Sequence, residues 1–493
     1  MLFQNTEAYS PVNCAWPPPA ARLRTDMQKS NRSSRNEALP SWVWPAALVV
    51  LVALMFWRCF LGDQILMSND ASLMTLKRAK AIFPEGMISG WDDAYWLGTP
   101  QVYPATPTWF LLYLMPAETY ARLIYVFHIM AAAVLSFYWL RRMELCHFAA
   151  FFGSLVMALA GSYVTYILPG HIGKFEMTTF ALLSLLCLTR GFQTAHWSDF
   201  AWAGVALGLS LQGAIDSGAL MALLIAAWFL FNAGQRWLSV DDRTRRNWVM
   251  GFMLLMAMSA VAAFPIVRSL LGVGLVSNVP GTQEGDVSEQ NWHWATQWSY
   301  PPGEVVDLFA PGYHGWKTQD PLGPYWGALG RNPQFDPFAT PADLLKAANV
   351  NDGGQAAQLL QFWNFRFNSD FHGSATLLAV LLALVALFAR EPRPADAEAR
   401  SDWRDDWLRR HGPAIVFWTL VAVVVLVTSF GRFFPPPFRL LHSLPLFSSM
   451  RNPNKLLVLL TPALAALAAI GMDRLWRETE PPNAERGSRN AKR

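Results

Sequence analysis

The sequence predicts an all-α integral membrane protein with about ten transmembrane helices, on three observations. First, 53% of its 493 residues are hydrophobic and only 15% charged, against about 25% charged in a soluble domain. Second, the apolar residues fall in blocks near the roughly 20 residues that cross a bilayer. Third, the loops between the blocks are alternately basic. The mean hydropathy is +0.21, and tryptophan alone numbers 23. This composition excludes a disordered chain, a collagen and a disulfide-stapled secreted fold.

Residues 1–41 are polar and proline-rich, carry Arg22, Arg24, Lys29, Arg32 and Arg35, and read as a disordered cytoplasmic tail without a cleavable signal peptide. The apolar block 42–60 then acts as a signal anchor. Further spans are expected at 119–140, 148–168, 175–188, 200–217, 218–232, 249–271, 374–388, 414–430 and 456–472, with 200–217 and 218–232 as a tight hairpin. Arg141 and Arg142 follow the second span, and Arg236, Arg243, Arg245 and Arg246 follow the sixth. Arg390, Arg393, Arg400, Arg404, Arg409 and Arg410 lie between the eighth and ninth, and Arg474 and Arg477 follow the tenth. Basic loops stay inside, so these loops and both termini are expected in the cytoplasm, which requires an even number of spans. The polytopic domain is thus 42–476, with 477–493 a second cytoplasmic tail. The outer side holds 61–118, the large loop 272–373 and 431–455.

The first outer loop carries its own helices. Ser68-Asn69-Asp70 offers short polar caps, and Leu73, Leu76, Ala79 and Phe83 follow at helical spacing beside Lys77, Arg78 and Lys80. That pattern reads as a helix lying in the interface, ended by Pro84 and Gly86. The apolar run 108–115 is too short to span and reads as a half helix.

No P-loop, GxGxxG, GxSxG, HExxH or kinase signature occurs. The net charge of +4 gives no reason to expect nucleic acid as a partner. Cys14, Cys59, Cys146 and Cys187 show no metal-ligand spacing and read as free thiols. Few ionisable residues fall inside the spans; Asp216, at the hairpin turn, reads as structural. The chemistry is therefore sought on the outer face. Asp70 serves either as a helix cap or as a general base at the membrane surface. Asp92-Asp93 is either a solvated pair or a divalent-cation site, the one metal the chain suggests. The Pro169-Gly170-His171-Ile172-Gly173-Lys174 turn offers N–H groups and cations to a phosphate, or simply meets headgroups. Arg451-Asn452-Pro453-Asn454-Lys455 either holds a phosphate or anchors the last span at the interface. Trp292, Trp294, Trp298, Trp316 and Trp326 form an interface belt or stack on sugar faces.

Taken together these segments resemble a known family. Phe83-Pro84-Glu85-Gly86, Gly90-Trp91, Trp96-Leu97-Gly98-Thr99-Pro100 and Val102-Tyr103-Pro104 look like the first loop of the YfhO-like bacterial membrane proteins. Gly170-His171 with Lys174 is similar to their GHxxK turn. The run from Trp298 to Pro311 with Tyr325-Trp326-Gly327, the Arg451–Lys455 segment and Gly471-Met472-Asp473-Arg474-Leu475 resemble three more of their motifs. The family is placed with the GT-C glycosyltransferases, whose donors are polyprenyl-phosphate sugars. The resemblance implies a GT-C-like helix bundle in the bacterial cytoplasmic membrane, with Asp70 as base. The sequence departs from the pattern in having Asn69-Asp70 instead of an acidic pair, and in ending soon after the tenth span.

The resulting expectation is inverting transfer of a sugar from a polyprenyl-phosphate donor to a cell-envelope glycan or lipid acceptor. His171, Lys174, Arg451 and Lys455 would hold the donor phosphate, and Trp292, Trp298 and Trp326 would bind the acceptor. Two rival readings are a non-catalytic scaffold of a surface-polymer assembly complex and a lipid or solute transporter.

Overall fold

The computed structural model describes residues 39–479, apart from 63–64, 67–70, 88–90, 93–97, 101–102, 274–291, 309, 316–324, 330–340, 348, 350–380, 383, 386–396, 445–446 and 448–449. The N-terminal tail to residue 38, Asp70, Asp93, Trp316, Cys14 and most of the expected 374–388 span fall outside the described residues. Positions 381, 382, 384 and 385 of that span are helical.

The described chain is helical, apart from one two-residue antiparallel pair, β1 (Trp91–Asp92) and β2 (Thr99–Pro100). Among the described residues, six helices are long and apolar enough to cross a membrane: Ala117–Arg142, Ile172–Thr194, Ile215–Arg236, Asp242–Arg268, Asp406–Ser429 and Pro453–Arg477. The pair His147–Ala158 and Gly161–Ile167, bent by 44°, makes a seventh if counted as one span.

The elements follow the sequence blocks with informative differences. The first block divides into α1 (Val43–Met55) and α2 (Trp57–Leu61). Thirteen residues give α1 a length of about 20 Å, short of the roughly 30 Å hydrocarbon core. In the first loop, α3 (Leu73–Ala81) buries Leu76 and Ala79, and Phe83 beyond its end is buried too, as the stripe predicts. Its cap is Ser72, whose hydroxyl accepts from the Thr75 N–H at 3.3 Å; the expected capping run Ser68-Asn69-Asp70 lies outside the described residues. The expected half helix is α4 (Pro107–Leu114), with proline at its first position, where no N–H is needed.

The bundle continues through α5 (Ala117–Arg142), α6 (His147–Ala158), α7 (Gly161–Val164), α8 (Ile172–Thr194), α9 (Trp197–Gly213), α10 (Ile215–Arg236) and α11 (Asp242–Val273). After the short α12 (Pro341–Ala347) come α13 (Ala397–Ser429), α14 (Pro435–His442) and α15 (Leu457–Thr479). The α9–α10 break falls at Ala214, in extended conformation, and not at residues 217–218. Asp216 and Ser217 therefore open α10 instead of closing α9. In the apolar windows, 89% of residues are buried for the last helix but only 22% for α11, so α15 is central and α11 faces outward.

Close helix crossings rest on small residues. On α9, Gly204 and Gly208 are four apart and share one face. A Cβ on Gly204 would overlap the Leu255 carbonyl of α11, and one on Gly208 would overlap Ser259 and Ala262. Small-xxx-small faces let backbones approach where lipid supplies no hydrophobic drive. Gly204→Val is expected to cost about 1–3 kcal/mol through this overlap, read as a lower thermal midpoint in detergent. An unchanged midpoint would mean that the α9–α11 crossing is looser than this packing.

Three cysteines, Cys59, Cys146 and Cys187, are free thiols as expected. Burial, and then the Asp473 carboxylate, push the Cys146 thiol up to about 12, so it is not a reactive thiolate at neutral pH.

Candidate functional site

The expected cationic residues converge in part, around an acid. The turn Gly170-His171 leads into α8, with Gly170 at φ +85°. Gly173 lies so close to Gly213 that a Cβ would overlap the Gly213 carbonyl. This contact sets the start of α8 against the break between α9 and α10. Lys174, in the first turn of α8, thereby reaches Asp216, in the first turn of α10. Its Nζ lies 3.1 Å from Asp216 Oδ1 and also donates to the Ser217 hydroxyl. The Ser217 N–H donates to the same Asp216 oxygen at 2.6 Å.

The second cation arrives from a distant part of the chain. Asn452 adopts φ +65°, and its N–H donates to the Ala295 carbonyl at 3.0 Å. The Asn454 N–H donates to the Trp298 carbonyl at 3.2 Å. These bonds fix the 3₁₀ turn Pro453–Leu456 at the head of α15, and Lys455 pairs with Asp216 Oδ2. Lys174, Lys455 and Asp216 expose 10%, 21% and 28% of their side chains. Two lysines and one aspartate leave a single net positive charge. The N-terminal ends of α8 and α10, where helix dipoles are positive, add to the local potential. The arrangement suits an anion that approaches the more open Lys455.

The other expected phosphate ligands pack on aromatic rings. Arg451 lies over the Trp294 ring, 4.4 Å from its centroid, and His171 packs on Tyr166 with ring centroids 5.7 Å apart. The expected acceptor tryptophans have different neighbours. Arg439 lies 4.9 Å over Trp292, Trp298 is half-buried, and Trp326 is exposed over His314 with ring centroids 4.2 Å apart. Asp92 sits in β1 opposite Thr99.

Two acidic groups outside the expected set are buried near these elements. Glu176 follows Lys174 by two residues, which on a helix places it about 200° away. It is fully buried and faces Thr106, Thr108 and Trp109 around the start of α4. Beside it, His128 joins Thr108 Oγ1 at 3.2 Å and Thr179 Oγ1 at 2.9 Å. Asp473, near the other end of α15 from Lys455, is also fully buried. It accepts from the Cys146 N–H at 2.7 Å, the Trp407 indole N–H at 2.9 Å and Arg477 Nε at 2.8 Å.

Comparison with protein-family models, curated proteins and solved structures gives no match, so the reading rests on the residues themselves.

Proposed function

We propose that this chain is a GT-C-type glycosyltransferase of the bacterial cytoplasmic membrane, with ten spans and both termini in the cytoplasm. It moves a sugar from a polyprenyl-phosphate donor to an acceptor hydroxyl on a cell-envelope glycan or lipid, with inversion. The observation that carries this reading is the meeting of Lys174 and Lys455 on Asp216 at the heads of their helices. Outside the cytoplasm the activated sugar has to arrive on a lipid, and its leaving group is a phosphate. Cations and helix N-termini fixed in a partly dry site stabilise such a group as its charge develops. Asp216 holds the two lysine side chains together. Asp70 takes the proton from the acceptor hydroxyl, whose oxygen attacks the anomeric carbon as the bond to the lipid phosphate breaks. Arg451 and His171 flank the phosphate, and the outer tryptophans cover the acceptor.

The rival readings make different demands. A transporter places charged groups at mid-membrane. Here Lys174 and Asp216 lie in the first turns of their helices, Glu176 lies in the second turn of α8, and Lys455 precedes α15. A scaffold makes no demand on these cations and predicts no donor turnover. Protein in lipid nanodiscs, offered a panel of polyprenyl-phosphate sugars with envelope acceptors, separates these readings by mass spectrometry of the donor. Asp70→Asn is expected to lower turnover by about 10²-fold or more at an unchanged thermal midpoint. Turnover at the wild-type rate by that variant refutes the assigned base, and no donor consumption by wild type favours the scaffold.

A further inference from the structure

We propose that Glu304, Asp307 and His314 form a site for one divalent transition-metal ion of the zinc or manganese type. The proposal holds whether or not the chain transfers sugars. Glu304 and Asp307 lie on the 3₁₀ turn Pro302–Leu308, where three residues make one turn and place both carboxylates on one face. The chain then folds back through glycines at φ +74° (Gly312) and +84° (Gly315), which returns His314 to that face. One donor atom from each residue lies within 4.8 Å of the other two. The three residues are 2%, 3% and 8% exposed.

Each ligand is oriented by its neighbours. Glu304 Oε1 accepts from the Tyr325 hydroxyl at 2.6 Å and from the N–H groups of Ala328 and Leu329 at 2.5 and 3.0 Å. Asp307 Oδ1 accepts from the His314 N–H at 3.2 Å. The His314 ring is held by Trp326. Its Nδ1 makes no hydrogen bond, although Asp307 Oδ1 stands 3.3 Å away. That nitrogen is the second observation: a buried ring nitrogen beside two carboxylates that makes no hydrogen bond. Two buried carboxylates this close repel, and a divalent cation relieves the repulsion while using the imidazole. Two oxygens and one nitrogen suit zinc or manganese, whereas calcium takes oxygen alone and soft metals take thiolates. Bonds of about 2.0–2.2 Å require only a modest closing of the three side chains. Neighbours that orient the ligands, as here around Glu304, are the usual surroundings of a metal site.

The test uses the full chain in detergent or nanodiscs, stripped with a chelator and titrated with Zn²⁺ and separately with Mn²⁺. Wild type is expected to take up one equivalent of at least one of these ions, by elemental analysis after desalting. Asp307→Asn and His314→Gln are each expected to weaken binding at least about tenfold. If a variant does not fold, X-ray absorption on the metal-loaded wild type decides, because a shell of oxygens with a single imidazole is expected. Failure to retain either metal, retention unaffected by folded variants, or a shell without one imidazole would overturn the assignment. The direct contact of His314 with Asp307 would then account for the cluster.

Discussion

Asp216→Ala is expected to destabilise the bundle by about 2–3 kcal/mol, and to do so less once Lys455 is also removed. Removing one partner of a buried ion pair costs about 3–5 kcal/mol, because the other charge stays buried and uncompensated. Asp216 is 28% exposed, which lowers the figure toward the value for solvated pairs. Two cations depend on it. Lys174, at 10% exposure, would keep only the Ser217 hydroxyl among the partners described, and Lys455 would face it as a like charge. Lys455→Met alone is milder, since it leaves a neutral Lys174–Asp216 pair. In the Lys455→Met background, Asp216→Ala orphans one lysine instead of two, so its cost should fall by about 1–2 kcal/mol, in the range of coupling between residues in contact. Denaturation midpoints of the four proteins in one detergent measure this. Equal costs of Asp216→Ala in both backgrounds would mean that the Lys455 contact carries no energy.

The same triad marks where sequence reading ends. Lys174 and Lys455 stand out in the sequence because glycines or prolines surround them at the head of an apolar block. Asp216 is visible at a hairpin turn. Nothing local says that they meet, because Asp216 lies 42 residues from Lys174 and 239 from Lys455 in the chain. The close approach of Gly173 and Gly213 is what joins them, and it depends on a crossing between helices. The long helices are legible because bilayer thickness sets their length directly. Their ends are less so: the α9–α10 break sits at Ala214, between Gly213 and Gly218, and only backbone geometry chooses among the three. The cap of α3 moves from the expected Ser68-Asn69-Asp70 to Ser72 because hydroxyls and carboxylates compete for that role on nearly equal terms. The close approach at Gly204 and Gly208 shows only once α9 and α11 cross, and Glu304, Asp307 and His314 lie in a Pro- and Gly-rich stretch without periodicity. Their convergence follows from a 3₁₀ turn and two left-handed glycines, neither of which a hydrophobic pattern reports.

Asp473→Ala is expected to cost about 3–5 kcal/mol, the largest effect of any single change considered. Its carboxylate is fully buried and joins three helices: the N–H that opens α6, the Trp407 indole of α13, and Arg477 one turn further along α15. Alanine leaves the Cys146 N–H and the indole N–H buried without their acceptor, and each such orphan costs about 1–3 kcal/mol. Asp473→Asn keeps the shape but turns an amide N–H toward a donor, so it should recover only a minor part of the loss. Arg477 is 36% exposed, and Arg477→Gln removes a charge without orphaning either of the other donors. Its cost should therefore stay below that of Asp473→Ala, at about 1–2 kcal/mol, because the buried carboxylate loses its cation but keeps both N–H donors. The expected order of denaturation midpoints is thus wild type, Arg477→Gln, Asp473→Asn and Asp473→Ala. A large loss for Arg477→Gln with a small one for Asp473→Ala would reverse the argument. It would place the energy of this junction in the salt bridge instead of in the satisfaction of buried donors.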